Sequence, residues 1–178
     1  MDQLFAPWRI EWVKRDRRAD ADGCPFCELP ESGNDRDALV VARGEHGYVL
    51  LNNSPYNPGH AMVIPYRHVG SYRALEPDEL LDCERLVQRT LEAFETALDP
   101  DGFNTGCNLG GAGGGSIEHV HRHVVPRWRG DTNFMAVIDE TNVIVQALED
   151  TYDVLRKAFA EQEGTTKTEN GAVRIDRD

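Results

Sequence analysis

Apolar residues recur along this chain with two periods. Short runs of Val, Leu, Ile and Ala bounded by Gly, Pro, Asn and Asp predict strands at Ala38–Ala42, Tyr48–Leu51 and His60–Pro65. Gly44-Glu45-His46-Gly47 marks a hairpin between the first two and leaves His46 exposed on the turn. The third strand follows a dense turn, Asn52 to Gly59, and is stopped by its own proline. Glu76-Pro77-Asp78-Glu79 has the acidic first turn and early proline of a helix start. From there Leu80, Leu81, Cys83, Leu86, Val87, Leu91 and Phe94 keep an i, i+3, i+4 spacing to about Leu98, so Cys83 reads as core. Asp99-Pro100-Asp101-Gly102 ends that helix, and Phe103–Leu109 predicts a further strand. Thr141–Phe159 predicts a second amphipathic helix through Val145, Leu148, Tyr152, Leu155 and Phe159. From about Glu161 the charged, Gly- and Thr-rich tail is expected to be disordered. No internal repeat is visible.

One further run carries chemistry. In Glu118-His119-Val120-His121-Arg122-His123-Val124-Val125-Pro126, three histidines fall at i, i+2 and i+4 in an apolar setting. On a strand, alternate side chains share a face, so the three imidazoles would project together. Gly110-Gly111-Ala112-Gly113-Gly114-Gly115-Ser116 leads into this strand, and a loop largely without Cβ atoms lets backbone N–H groups approach an anion. Histidine serves proton transfer, metal ligation and nucleophilic attack near neutral pH. Spaced surface histidines or a structural metal clip are the alternatives, and the alternation beside a glycine loop favours a phosphate site.

At 178 residues the chain suits one domain with a core that needs no disulfides. The net charge of −12 argues against binding a nucleic acid backbone, which requires clustered Lys and Arg. Lys14, Lys157 and Lys167 are the only lysines, so the acidic, lysine-poor surface resembles those of proteins from salt-loving organisms. No apolar run reaches the length of a membrane span and no secretory h-region is present, so a cytoplasmic location without a membrane partner is expected. Cys24, Cys27, Cys83 and Cys107 are then reduced thiols or metal ligands. Cys24-Pro25-Phe26-Cys27 has the spacing of two zinc-binding thiolates, although a redox pair or two idle thiols would read the same. Residues 1–23, with Trp8 and Trp12, form an N-terminal extension that either packs on something, such as a second subunit, or is solvated.

His119-Val120-His121-Arg122-His123-Val124-Val125 resembles the signature of the histidine triad (HIT) family, with Arg122 where an apolar residue is usual. Arg122 would sit on the opposite face and disturb the packing behind the imidazoles more than the reaction. Asn57-Pro58-Gly59-His60-Ala61-Met62-Val63-Ile64-Pro65 resembles another family element, whose histidine is a fourth site histidine, here His60. Pro126-Arg127-Trp128-Arg129-Gly130-Asp131 resembles the dinucleoside polyphosphate branch, and Trp128 or Phe134 would stack on a base or simply pack.

The resemblance spans roughly residues 24–135 and implies an α+β fold: an antiparallel sheet of about five strands with helices on one side, usually a homodimer, within a domain of residues 24–160. It implies a structural zinc ion on Cys24, Cys27, His68 and His119. It places Asn52 at the ribose hydroxyls, where an Asx turn is the competing role, and Asn108 and Ser116 at the phosphate. By this resemblance His121 attacks the α-phosphorus of a nucleoside polyphosphate, of diadenosine polyphosphate (Ap4A) type, and forms a nucleotidyl-histidine. His123 and His60 bind or protonate phosphate oxygens, and Asn108, Ser116 and the N–H groups of Gly114 and Gly115 stabilise charge. Water as acceptor makes a hydrolase and inorganic phosphate a phosphorylase. A purine nucleoside phosphoramidase and a non-catalytic nucleotide-binding regulatory module are the alternatives.

Overall fold

The computed structural model describes residues 23–131 and 148–176. Trp8, Trp12, Phe134 and the first turns of the predicted second helix lie outside the described residues.

Three apolar runs become β1 (Val40–Arg43), β2 (Gly47–Leu51) and β3 (Ala61–Pro65). The first two are joined by the expected hairpin, closed by the Gly44 N–H donating to the Gly47 carbonyl at 2.8 Å. β2 and β3 pair antiparallel from Gly47 opposite Pro65 to Leu51 opposite Ala61. Side-chain alternation sends Val49, Leu51, Ala61 and Val63 to one face of the sheet, and Tyr48, Leu50, Met62 and Ile64 to the other. Every residue of β2 and β3 is buried, because both faces are covered. This is why these strands read as continuous apolar runs and not as an in–out alternation.

The first face carries the helices. α2 (Pro77–Leu98) lays Leu86, Val87, Ala93 and Phe94 on the sheet, and α3 (Leu148–Ala160) adds Tyr152, Leu155, Ala158 and Phe159. α2 starts with a capping box between Glu76 and Glu79, worth about 1 kcal/mol, and Asp99 stops it in a left-handed conformation (φ 46°). The Arg67 guanidinium grips Glu79 and holds its carboxyl below the usual range. The opposite face carries the short helix α1 (Pro25–Glu28) and the candidate site.

The α+β class is as expected, but the sheet has seven strands among the described residues. β4 (Gly102–Gly106) and β5 (Arg122–Arg127) complete an antiparallel set in the order β4-β5-β3-β2-β1. Beyond it lie β7 (Val173–Ile175), parallel to β1, and β6 (Thr165–Lys167) at the edge. The tail expected to be disordered is therefore a hairpin within the sheet. Local composition conceals this because its anchors are distant. Ala172 and Val173 are fully buried, and the buried Asp35 carboxylate accepts from the Ala172 N–H (3.1 Å), the Thr168 hydroxyl (3.4 Å) and Arg43. The strand expected across the triad begins only at Arg122. Residues 119–121 precede it, tied by the Val120 N–H donating to the Val69 carbonyl at 2.7 Å.

Candidate functional site

Four predicted ligands meet where α1, the end of β3 and the approach to β5 converge. The metal-binding atoms of Cys24, Cys27, His68 and His119 all lie within 4.8 Å of one another. Cys24 Sγ is 3.3 Å and Cys27 Sγ 3.7 Å from His119 Nδ1, and Cys27 Sγ is 3.4 Å from His68 Nδ1. A tetrahedral ion with bonds of about 2.3 Å to sulfur and about 2.0 Å to nitrogen has S···N edges of about 3.6 Å, so the cluster fits one metal ion. His119 donates from Nε2 to the Pro65 carbonyl at 2.9 Å, which leaves the Nδ1 lone pair directed at the sulfurs. Burial pushes His119 toward its neutral, ligating form. Burial and the neighbouring Cys24 push the Cys27 thiol up, so metal binding must displace protons. The buried Tyr48 hydroxyl braces the knuckle by donating to the Phe26 carbonyl at 2.6 Å.

Two residues further on, His121 is held differently. Its Nδ1 lies 2.8 Å from the His119 carbonyl oxygen, an acceptor, so Nδ1 carries the proton and the Nε2 lone pair lies on the opposite edge of a ring that lines the cavity. Phe26 touches this ring edge-on, with centroids 5.0 Å apart.

His123 and His60 form a directional pair. The Tyr56 backbone N–H, which can only donate, meets His60 Nδ1 at 3.1 Å. His60 therefore carries its proton on Nε2 and donates to His123 Nδ1 at 3.0 Å. With Nδ1 filled by His60, His123 carries its proton on Nε2 at the cavity wall; the Asn108 amide nitrogen, itself a donor, stands 3.5 Å away, at the outer limit of a hydrogen bond, and does not set this tautomer. Tyr56 stacks on the His60 ring (4.8 Å, 12°). His60, expected to meet phosphate, is buried behind His123 and is not among the residues that line the cavity.

The cavity measures about 560 Å³, within the range of small-ligand sites. Phe26, Leu29, Leu50, Met62 and Ile117 give it apolar walls, and Asn52, Asn108, Ser116, His121 and His123 a polar end. Of the two roles weighed for Asn52, the Asx turn is present. Its Oδ1 accepts from the Ser54 N–H in an Asx turn (2.8 Å), while the residue lines the cavity. In the glycine loop, Gly114 lines the cavity at φ 83°. Gly115 does not, and a Cβ there would stand 2.9 Å from the Asn108 carbonyl oxygen. The N–H groups of Gly114 and Gly115 donate to Gly111 and Gly110 within the loop, so in this conformation they are not the anion donors expected. Asn108, Ser116 and His123 are left to meet a phosphate.

Sequence reasoning missed Phe26, Tyr56 and Asn57, whose only signal was position: between the two cysteines and within the turn before His60. Trp128 lies away from the cavity, its indole N–H donating to the Asp99 carbonyl (3.2 Å). Arg122 does point to the opposite face, where it pairs with Glu84 on α2, and its Nε is buried without a hydrogen-bond partner. Among the described residues, no helix is long and apolar enough to cross a membrane.

Comparison with known proteins adds to the geometry. The HIT domain family model matches residues 34–130. AP-4-A phosphorylase of Mycobacterium tuberculosis is 42% identical over 169 residues, covering 91% of this chain and 86% of that protein. Bis(5'-nucleosyl)-tetraphosphatase [asymmetrical] of Schizosaccharomyces pombe is 35% identical over 92 residues, 52% of this chain and 50% of that protein. A Zn-bound histidine triad family protein from Mycobacterium smegmatis superposes with a TM-score of 0.65 at 28% identity, over 78% of this chain and 94% of its own.

Proposed function

The chain belongs to the HIT domain family, and from that premise we propose that it is an enzyme cleaving dinucleoside polyphosphates through a nucleotidyl-histidine intermediate. The observation that carries the reading is the His121 tautomer: with Nδ1–H held by the His119 carbonyl, Nε2 is the nucleophilic edge of a ring at the cavity wall. In the first step Nε2 attacks the α-phosphorus and the P–O bond to the remaining polyphosphate breaks; the leaving oxygen departs as a phosphate anion that accepts a hydrogen bond from His123 Nε2–H, and the neutral His123 ring keeps its proton. Asn108 and Ser116 balance the charge spreading over the phosphoryl oxygens. The apolar walls receive the base, and Asn52 Nδ2 faces the ribose. In the second step an oxygen of the phosphate dianion replaces His121 on phosphorus, the P–N bond breaks and the neutral His121 ring is restored, while His123 Nε2–H again donates to the reacting phosphoryl group.

Inorganic phosphate is the acceptor this reading favours, because the phosphorylase relative matches nearly the whole chain and the tetraphosphatase about half of it. Product analysis on diadenosine tetraphosphate decides. ADP formed only when phosphate is present supports phosphorolysis; AMP formed regardless of phosphate replaces it with hydrolysis. No turnover by a folded, metal-replete preparation rejects the enzyme.

Cys24, Cys27, His68 and His119 would hold zinc. Its contribution is structural, tying the α1 segment to the end of β3. Because Pro25, Phe26 and Leu29 on that segment line the cavity, the cluster also holds one wall of the base site.

A further inference from the structure

We propose that Asn57 and Asp131 are positioning residues that clamp the Tyr56–His60 turn onto the strand bearing His123 and so set the proton arrangement of the His60–His123 pair. For its kinetic readout this rests on the nucleotidyl-transfer reading above.

The turn is internally well made. The Tyr56 N–H donates to His60 Nδ1 and the His60 N–H to the Asn57 carbonyl, both at 3.1 Å. Neither bond says where the turn stands relative to β5. Asn57 does. It is buried, and its Nδ2 donates one hydrogen to the Pro126 carbonyl (3.0 Å) and the other to Asp131 Oδ2 (2.8 Å), which exhausts the amide's donors. Pro126 is on β5, three positions beyond His123, so this bond ties the turn to the His123 strand. Close packing reinforces it: Gly59 has φ 83°, and a Cβ there would stand 3.1 Å from the Pro126 ring and 2.6 Å from Leu98.

Asp131, just beyond the residues matched by the family model, fixes the other side of the clamp. Arg127 holds it with two bonds, Nε to Oδ2 at 2.6 Å and a second guanidinium nitrogen to Oδ1 at 2.9 Å. The Trp128 N–H adds a third at 3.2 Å, and Arg127 also reaches Asn104 on β4 at 2.6 Å. These donors, Arg127 first, hold the Asp131 carboxyl below its usual range, so it is a charged acceptor at working pH. The order imposed on His60 thus runs from β4 and β5 through Arg127, Asp131 and Asn57 to the turn. When the turn moves away from β5, the 3.0 Å bond between the two rings lengthens. Nothing then requires His123 to hold its proton on Nε2 and not Nδ1.

The test uses the full chain labelled with ¹⁵N-histidine, comparing wild type with Asn57→Ala and Asp131→Asn. Ring-nitrogen spectra distinguish bare from protonated nitrogens, and steady-state kinetics run on diadenosine tetraphosphate. In wild type, His60 and His123 are expected to show bare Nδ1 and protonated Nε2. In Asn57→Ala that pattern gives way to mixed tautomers, and kcat falls about 100-fold while KM changes by less than about threefold. Asp131→Asn, which leaves the Pro126 bond in place, loses about tenfold in kcat. If Asn57→Ala does not fold, Asp131→Asn carries the decision alone. Unchanged ring-nitrogen signals overturn the clamp, whether or not kcat falls, and so does an unchanged kcat. If wild type shows the tautomer pattern and the variants lose it but no dinucleoside polyphosphate is turned over, the clamp stands and the proposed activity fails.

Discussion

His119 and His123 flank the same ring at equal distance along the chain, yet they are set up for opposite work. At His119 the outer nitrogen donates to the Pro65 carbonyl, so the inner one offers a lone pair to two sulfurs. At His123 the inner nitrogen accepts from His60, so the outer one offers a proton to the cavity. Residue type and spacing are shared, and what differs is the group facing the second nitrogen. A donor facing a ring leaves an outward N–H, and a carbonyl facing it leaves an outward lone pair. His121, facing a backbone carbonyl, has the lone pair of a nucleophile.

This contrast can be broken experimentally. The largest effect is expected at the ring between the two ends: His121→Ala should lower turnover more than about 1,000-fold with an unchanged circular dichroism spectrum, read by mononucleotide release. Next, His123→Ala should cost about 100- to 1,000-fold in kcat, the usual range for losing an N–H that stabilises developing charge. His119→Ala sharpens the comparison, because the carbonyl that orients His121 is backbone and survives the substitution. Elemental analysis should show the metal lost, and the melting temperature should fall by about 6–12 °C for a loss of roughly 3 kcal/mol. The kcat of the remaining folded enzyme should fall far less than in His123→Ala. If the two variants lose kcat equally, the division of labour is wrong.

Acid supplies the two smaller effects. Because Cys27 holds its proton more tightly than usual, lowering the pH should weaken metal retention, measured as release to a chromogenic chelator. Faster release at higher pH would contradict this. Asp131 loses its contribution in the same direction, on acidification, but through a depressed carboxyl in place of a raised thiol. Its carboxyl is depressed below 3.8, so its stabilisation is full above that pH and is lost as the pH falls through the lower folded value. The few degrees by which wild type outlasts Asp131→Asn should persist at neutral pH and close only below 3.8.

The central strands and α2 were legible because their signals are local: apolar runs between turn residues, and an apolar stripe with an acidic start. The site histidines and the cysteine pair were legible as motifs. Their roles were only partly so, because a tautomer depends on partners such as Tyr56 and Pro65 that no spacing rule picks out. The tail shows the same limit. Thr165–Lys167 is short and polar, Val173–Ile175 has only two apolar residues to signal a strand, and their places in the sheet come from Asp35 and β1, far earlier in the chain. The glycine loop was legible as flexible backbone near an anion, but not the inward donation of its N–H groups.

The parallel pairing of Ala42 with Val173 has a bearing on biogenesis. During translation the outer margin of the first strand emerges about 130 residues before its cover is made. At typical elongation speeds that is an interval on the order of ten seconds, during which a row of unpaired amides faces the cell. Nascent molecules are open to mispairing with one another for as long as that margin waits for Val173, and slowed elongation between the two strands would lengthen the window.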